Sequence, residues 1–281
     1  MIFMLISGGA LALAFIPVLS EVLTREGQQK SWSLFSNIVN IAFLVTAVLA
    51  ILVAVFARPL VSSNLGVAPG FTETQIEETV NLMRLNLVAT LIFSVSGLVM
   101  SGLQANQHFL LPALAPIFYD IGQIFGAMVL SPSSPIRIGP IQLPALGLGT
   151  HGLVYGVILG AILHLLIQVP GLIKHKFRWS PRFDFQETNT RKVFRMIWPR
   201  LISMACISLI FIIQDNFASR LDVGSISALT YGWWIMQIPE TLIGTAIATA
   251  ILPTLAELAS NQKLGELRER VENAGQVMLA L

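Results

Sequence analysis

Residues 8–21 read Gly-Gly-Ala-Leu-Ala-Leu-Ala-Phe-Ile-Pro-Val-Leu-Ser-Glu, and residues 244–257 read Gly-Thr-Ala-Ile-Ala-Thr-Ala-Ile-Leu-Pro-Thr-Leu-Ala-Glu. Without a gap, seven of the fourteen positions match: Gly8/Gly244, Ala10/Ala246, Ala12/Ala248, Ala14/Ala250, Pro17/Pro253, Leu19/Leu255 and Glu21/Glu257. Alanine and leucine coincide often in apolar segments, so the proline and glutamate in register carry the weight. The offset of 236 residues also pairs Asn37 with Asn273. Self-similarity at a fixed offset is the mark of a duplicated structural unit.

The composition says what kind of unit. Of 281 residues, 54% are hydrophobic and only 11% are charged, and the mean hydropathy is +0.75. A soluble domain carries about 25% charged residues, so this chain has too little polar surface to cover a soluble globule. The same shortage excludes disorder. A net charge of +2 gives no reason to expect a nucleic-acid partner. The single cysteine, Cys206, allows no internal disulfide and no cysteine-cluster metal site, and is expected as a packed thiol.

A membrane-spanning helix needs about 20 mostly apolar residues. Seven stretches qualify, at roughly 2–22, 38–57, 85–105, 109–130, 146–173, 196–219 and 224–256. Met1 enters the first directly, without the basic region of a signal peptide. The expected fold is therefore an all-α polytopic membrane protein.

Loop charge orients it. The odd connections hold 12 lysines and arginines (Arg25, Lys30; Lys174, Lys176, Arg178, Arg182, Arg191, Lys192, Arg195; Lys263, Arg268, Arg270), and the even ones hold four, Arg58, Arg84, Arg137 and Arg220. Odd connections are expected in the cytoplasm, with the N-terminus of the chain outside and its C-terminal end inside. The basic stretch 174–195 reads first as a topology anchor.

The repeated segments are the first and seventh spans. An even separation gives both the same direction, so the repeats are parallel and related by an axis along the membrane normal. Two units of 236 residues exceed 281, and the chain is expected to be a piece of a larger two-lobed bundle. On this reading residues 1–173 are most of the first lobe, lacking its first helix. Residues 174–195 are a basic cytoplasmic linker, and 196–281 open the second lobe.

Polar residues inside spans are the functional candidates. Asp120 sits mid-span with Pro116 and Gln123 on a nearby face, and a buried carboxylate there must be protonated, paired or wet. Glu240 follows Pro239 in a 33-residue apolar stretch, about 50 Å long at helical rise and so too long for one straight span. A proline kink there frees carbonyls to line a cavity. Pro17, Pro116, Pro239 and Pro253 are the kink or gating candidates. Arg200, beside Pro199, is expected to snorkel to the interface. Asp215 lies about 22 Å from it along the same helix and is expected to pair with Arg220 near the outer end. Thr90, Ser94, Gly97, Ser101 and Gln104 share one helical face, as do Gly152, Gly156, Gly160, His164 and Gln168. For the glycines, close helix packing is the simpler reading. Gln104, His164 and Gln168 would mark where those faces reach water or a partner. His108 and His151 lie at span ends, where water is expected. No nucleophile motif, P-loop, metal-binding helix or catalytic carboxylate pair occurs, so an enzyme is not expected.

Four segments resemble the MurJ/MviN family of lipid II flippases, within the multidrug/oligosaccharidyl-lipid/polysaccharide exporter superfamily. They are Gly9-Ala10-Leu11 continuing through Ala14-Phe15-Ile16-Pro17-Val18, Leu111-Pro112-Ala113-Leu114-Ala115-Pro116, Gly224-Ser225-Ile226-Ser227-Ala228-Leu229, and Pro239 through Leu252-Pro253-Thr254-Leu255. The likeness runs over nearly the whole chain and would match the family's second through eighth helices and the start of the ninth. It implies a two-lobed bundle with a cationic central cavity. It also implies alternating-access carriage of a polyprenyl-pyrophosphate-linked peptidoglycan precursor across the bacterial cytoplasmic (inner) membrane. Guanidinium groups suit a pyrophosphate because they make forked, charge-assisted hydrogen bonds. The chain departs from the pattern at three places. Phe3 or Met4 stands where a second-helix arginine is common, Trp234 where an eighth-helix arginine follows the tyrosine, and Asp120 where a neutral amide is usual.

Three functions therefore stand side by side. One is a lipid II flippase. The second is a related exporter of another oligosaccharide lipid or amphipathic compound, coupled to protons or sodium through Asp120 or Glu240. The third is a non-transporting scaffold for a cell-envelope complex. Membrane lipids and cell-wall synthesis proteins are the other expected partners. No cofactor or metal is expected, and coupling to proton, sodium or chloride is left open.

Overall fold

The computed structural model describes residues 10–240, 251, 258 and 263–280. The chain divides into two compact units, Met1–Arg220 and Leu221–Leu281. In the first lie α1 (Ala10–Glu26), α2 (Gln28–Val55), α3 (Ala57–Ser62), α4 (Glu73–Ala105), α5 (Leu110–Phe125), α6 (Gly149–Leu166), α7 (Val169–Lys174) and α8 (Thr188–Ala218). The second holds α9 (Ser225–Pro239) and α10 (Leu264–Ala280).

Five helical stretches among the described residues are long and apolar enough to cross a membrane: Gln28–Val55, Glu73–Ala105, Leu110–Leu130, Gly149–Lys174 and Thr188–Ala218. The first and seventh expected spans, 2–22 and 224–256, lie only partly within the described residues, as α1 and α9. Pro253 lies outside them, so the repeat partner of Pro17 is not described.

The helices run past the spans that hydropathy marks. α2 begins at Gln28, ten residues before Ile38. At 1.5 Å per residue its 28 residues reach about 42 Å, against a hydrocarbon core of about 30 Å. Its first half buries Ser31, Trp32, Leu34, Phe35, Ser36, Asn37 and Ile38 against protein. Its second half exposes Phe43, Leu44, Val45, Val48, Ile51, Leu52 and Val55, an apolar surface that water covers unfavourably. α4 starts at Glu73, where Thr72 accepts from the Gln75 N–H and Gln75 Oε1 accepts from the Thr72 N–H, a capping box. Arg58 pairs with Glu73, and Arg84 donates to the Ala54 carbonyl at 2.9 Å, tying the ends of α2 and α4.

α5 and α6 make the most extensive helix pair. Gly126 and Gly156 face each other so closely that a Cβ on Gly126 would stand 2.6 Å from the Gly156 Cα. A Cβ on Gly152 would stand 2.6 Å from the Leu130 carbonyl carbon. Gly122 meets Gly160 in the same way. The glycine face of α6 is thus a packing surface, as its spacing suggests. Beyond this contact α5 ends in a π-turn at Gly126–Leu130, and a short hairpin (β1, Ile136–Ile138; β2, Ile141–Leu143) crosses to α6. That hairpin is the only strand structure among the described residues. Pro170, which has no N–H to give and would clash with the Leu166 carbonyl, splits the expected fifth span into α6 and α7.

The main core joins α1, α2, α4 and α8 through Phe15, Leu19, Trp32, Phe35, Leu98, Leu103 and Val193. α8 starts at Thr188, inside the stretch read as a linker. Cys206, expected as a packed thiol, is instead exposed on α8. Between Trp198 and Ile213 most side chains of this helix are exposed within its own unit, whereas Asn216 and Ala218 at its end are buried.

Candidate functional site

The candidate residues of the first unit fall into two environments. On α5, the exposed face carries Pro116, Ile117, Asp120, Ile121 and Ile124. Asp120 is therefore not a buried carboxylate as expected. The reason is local. The glycines at 122 and 126 turn their own side of α5 into α6, and Asp120 lies on the other side. Tyr119 packs edge-on against Phe93 at 5.0 Å. Gln123 borders a cavity of about 300 Å³ with Ile124, Ala127, Leu153 and Val157.

On α6 and α4 the polar groups are sealed instead. Gln168 is fully buried and His164 nearly so. Gln168 Nε2 donates to the His164 carbonyl at 2.7 Å and to Ser96 Oγ at 3.0 Å. Ser96 Oγ lies 2.6 Å from His164 Nδ1. Among the described residues Gln168 Oε1 has no hydrogen-bond partner. The network pins the α6–α7 break to α4. His164 and Gln168, expected to mark contact with water or a partner, are inside the unit. Ser96 escaped the sequence reading because it stands one step off the stripe Thr90, Ser94, Gly97, Ser101 and Gln104. Gln104 itself is half-buried at the end of α4.

On α8, Arg200 is half-buried, with Nη1 enclosed and without a hydrogen-bond partner among the described residues. Asp215 and Arg220 do not pair. Arg220 donates to the Asn64 carbonyl and to Asn216 Oδ1, each at 3.1 Å. Asn216 is buried and holds the Asn64 and Gly66 carbonyls at 3.0 and 2.6 Å. The amide, one residue along, reaches the loop that Asp215 cannot. His108 is half-buried, with its Nε2 enclosed and its ring 5.6 Å from that of His175. His151 is exposed. Burial, with His108 and Lys174 alongside, holds the His175 imidazole below its ordinary titration range. In the second unit Pro239 ends α9 and Glu240 is exposed just beyond it, as is Trp234.

A further set of polar residues, which hydropathy could not pick out, builds the end of the unit where α2 begins. Residues 175–190 wrap the first turns of α2. Trp32 Nε1 and Gln28 Nε2 both donate to the His175 carbonyl, at 3.0 and 2.9 Å. Asn37 Nδ2 donates to the Asp184 carbonyl and Thr190 Oγ1, and its oxygen accepts from the Asp184 N–H. Asn40 Nδ2 donates to the Ser180 and Arg182 carbonyls, and Trp179 donates to Asn40 Oδ1 at 2.9 Å. Two buried amides thus satisfy the backbone of a strap that forms no secondary structure of its own until Thr188. Lys192 pairs with Glu21, and Arg182 with Asp184. The Arg182 guanidinium and the N–H groups of Gln186 and Glu187 hold the Asp184 carboxyl below its ordinary range.

Antiparallel apolar helices with glycine crossings, sealed polar links and exposed apolar faces define a polytopic helical membrane protein. Among the described residues no group of three or more metal-ligating side chains gathers. A family model described as lipid II flippase MurJ matches residues 1–281, and the chain belongs to that family. It is 29% identical over 264 residues to a probable lipid II flippase MurJ of Vibrio cholerae, covering 90% of this chain and 47% of the relative. Against a probable lipid II flippase MurJ of Buchnera aphidicola the identity is 27% over 257 residues, 91% of this chain and 47% of the relative. Against the lipid II flippase MurJ of Burkholderia cenocepacia it is 26% over 255 residues, with coverages of 89% and 46%. The chain spans about half the length of the relatives it matches.

Proposed function

We propose that this protein moves the lipid-linked peptidoglycan precursor lipid II across the bacterial inner membrane. The observation that carries the reading is the family match over all 281 residues. The membrane helices of the first unit are compatible with it. Asp120 is the intramembrane charge best placed to act, because no described residue of its unit pairs with it or covers it. Arg200, with an unpartnered guanidinium nitrogen, is the cation best placed to meet a pyrophosphate. Residues 174–195 and the α10 end face the cytoplasm on this reading, and the N-terminus faces the periplasm.

The test is movement of fluorescent lipid II by the protein, expressed from its complete gene and reconstituted in liposomes. Flipping by wild type, reduced about tenfold or more by Asp120→Leu (at least about 1.4 kcal/mol), supports the reading. No flipping by a folded wild type removes it, and unchanged flipping by Asp120→Leu removes Asp120 from the pathway. A related exporter of another oligosaccharide lipid is the second reading. It is favoured by the neutral Met4 and Trp234 where family arginines are common. Transport of such a compound in place of lipid II would support it.

A further inference from the structure

The strap around α2 leaves an open-sided cavity of about 580 Å³ lined by Gln28, Gln29, Trp32, Ser33, Lys176, Arg178, Trp179 and Ser180. Two of these are cationic and none is acidic. Among the described residues neither Lys176 nor Arg178 has a carboxylate partner within ion-pair distance, although Arg182 and Lys192 nearby do. Lys176 holds a left-handed backbone, φ 52°, which is uncommon for lysine and marks a chain path over-determined by its surroundings. Gln28 and Gln29 are the first two residues of α2, whose N-cap Gly27 offers no side-chain cap. The partial positive charge of that helix end adds to the two cations.

The walls are built rather than loose. Trp32 and Gln28 are fixed through the His175 carbonyl, and Trp179 is fixed through Asn40. Trp179 nevertheless leaves 61% of its surface exposed. Ile173 at the end of α7, together with Phe183 and Phe185 on the strap, also stands exposed. Tryptophan and phenylalanine beside unpaired cations at the end of apolar helices is the pattern of a membrane surface.

We propose that this cavity binds a phosphate-bearing anion, with the phosphate between Lys176, Arg178 and the α2 N-terminus, and that the anion is the headgroup of an anionic phospholipid. The inference is independent of what the protein transports. It gives the basic stretch 174–195 a defined receptor within it, in addition to its part in orientation.

The experiment titrates the purified protein in detergent with phosphatidylglycerol and counts bound lipid by native mass spectrometry. Replacing both cations (Lys176→Asn with Arg178→Gln, asparagine being tolerant of the left-handed backbone) weakens binding by about thirty-fold, five- to six-fold per cation. The charge-matched control Arg191→Gln with Arg195→Gln changes exposed basic residues outside the cavity and leaves binding within about twofold. The charge-conserving pair Lys176→Arg with Arg178→Lys restores binding and shows that the fold survives. Glycerol 1-phosphate as competitor separates the sources. Displacement of the lipid at equal concentration places recognition in the phosphate alone, and failure to displace it means that the acyl chains contribute. Equal binding by the cavity variant and wild type overturns the proposal. So does an equal loss in the control, which would mean diffuse surface charge.

Discussion

The glycine crossing of α5 and α6 makes a prediction whose sign depends on magnitudes. Gly→Ala in an exposed helix interior stabilises by roughly 0.5–1 kcal/mol, because glycine surrenders more backbone freedom. At Gly156 the added Cβ would stand 2.9 Å from the Gly122 carbonyl oxygen and 3.0 Å from the Gly126 nitrogen, and nearer still to the Gly126 Cα. Every neighbour is backbone, so no side chain can swing aside and the helices must separate. Overpacking of this kind costs about 1–3 kcal/mol, which outweighs the propensity gain. Gly156→Ala and Gly126→Ala are each expected to destabilise by about 1–2 kcal/mol net. The double variant is expected to lose less than the sum, because the separation forced by one Cβ makes room for the other. Equilibrium unfolding in mixed micelles, followed by circular dichroism, measures all four proteins. Single variants as stable as wild type would show that the crossing is looser than described. Losses that add to within about 0.3–0.5 kcal/mol would show that the two glycines do not share one contact.

Three more outcomes follow from the polar links. Asn37→Ala leaves the Asp184 N–H and carbonyl without their partner and is expected to cost about 2–4 kcal/mol; faster trypsin cleavage at Arg178 and Arg182 in the folded protein measures the released strap. Asp184 has a carboxyl held below its ordinary value of 3.8, chiefly by its hydrogen bond to Arg182. A carboxyl with a lowered folded-state titration point stabilises above its unfolded value and loses that contribution as pH falls through the folded one. Hydrogen exchange in the strap, corrected for intrinsic rate, should therefore accelerate on acidification below about pH 4 in wild type, with a smaller change in Asp184→Asn. Ser96→Ala removes the hydroxyl between Gln168 and His164 and is expected to cost about 1–3 kcal/mol, whereas Ser96→Thr, if the extra methyl is accommodated, should recover most of it; thermal melting in detergent compares them.

The sequence located helices by hydropathy, and hydropathy reports lipid contact rather than helix length. Ile38–Ala57 matched the lipid-facing half of α2. It missed residues 28–37, because Ser31, Ser36 and Asn37 are polar and yet buried under the strap. The glycine face of α6 was legible from its four-residue spacing. Its counterpart Gly122–Gly126 carries the same four-residue spacing on α5, but two glycines make a weaker signal than the three of α6. The strap was not legible. Its charges dominate its composition, while its conformation is set by Asn37 and Asn40, about 140 residues away in sequence. Charge alone pairs Asp215 with Arg220, whereas the loop at 64–66 presents carbonyls, which take donors from Asn216 and Arg220 and none from a carboxylate.

Polar residues within apolar helices therefore sort by whether their bonds close. Ser96, His164 and Gln168 bond to one another inside the unit, and a network so enclosed fixes a helix break at low cost in lipid. Asn216 closes on backbone carbonyls and fixes a loop. Asp120 closes on nothing in its own unit, and it stands on a face otherwise made of isoleucine and proline. An intramembrane carboxylate in that position is costly against lipid, so selection for packing alone would replace it with leucine or alanine. The simplest physical account is that its face meets water, an ion or a polar ligand during the working cycle. On the proposed function, the transport path is expected on the uncovered face of α5 and not along the glycine stripe of α6, although α6 carries more polar residues.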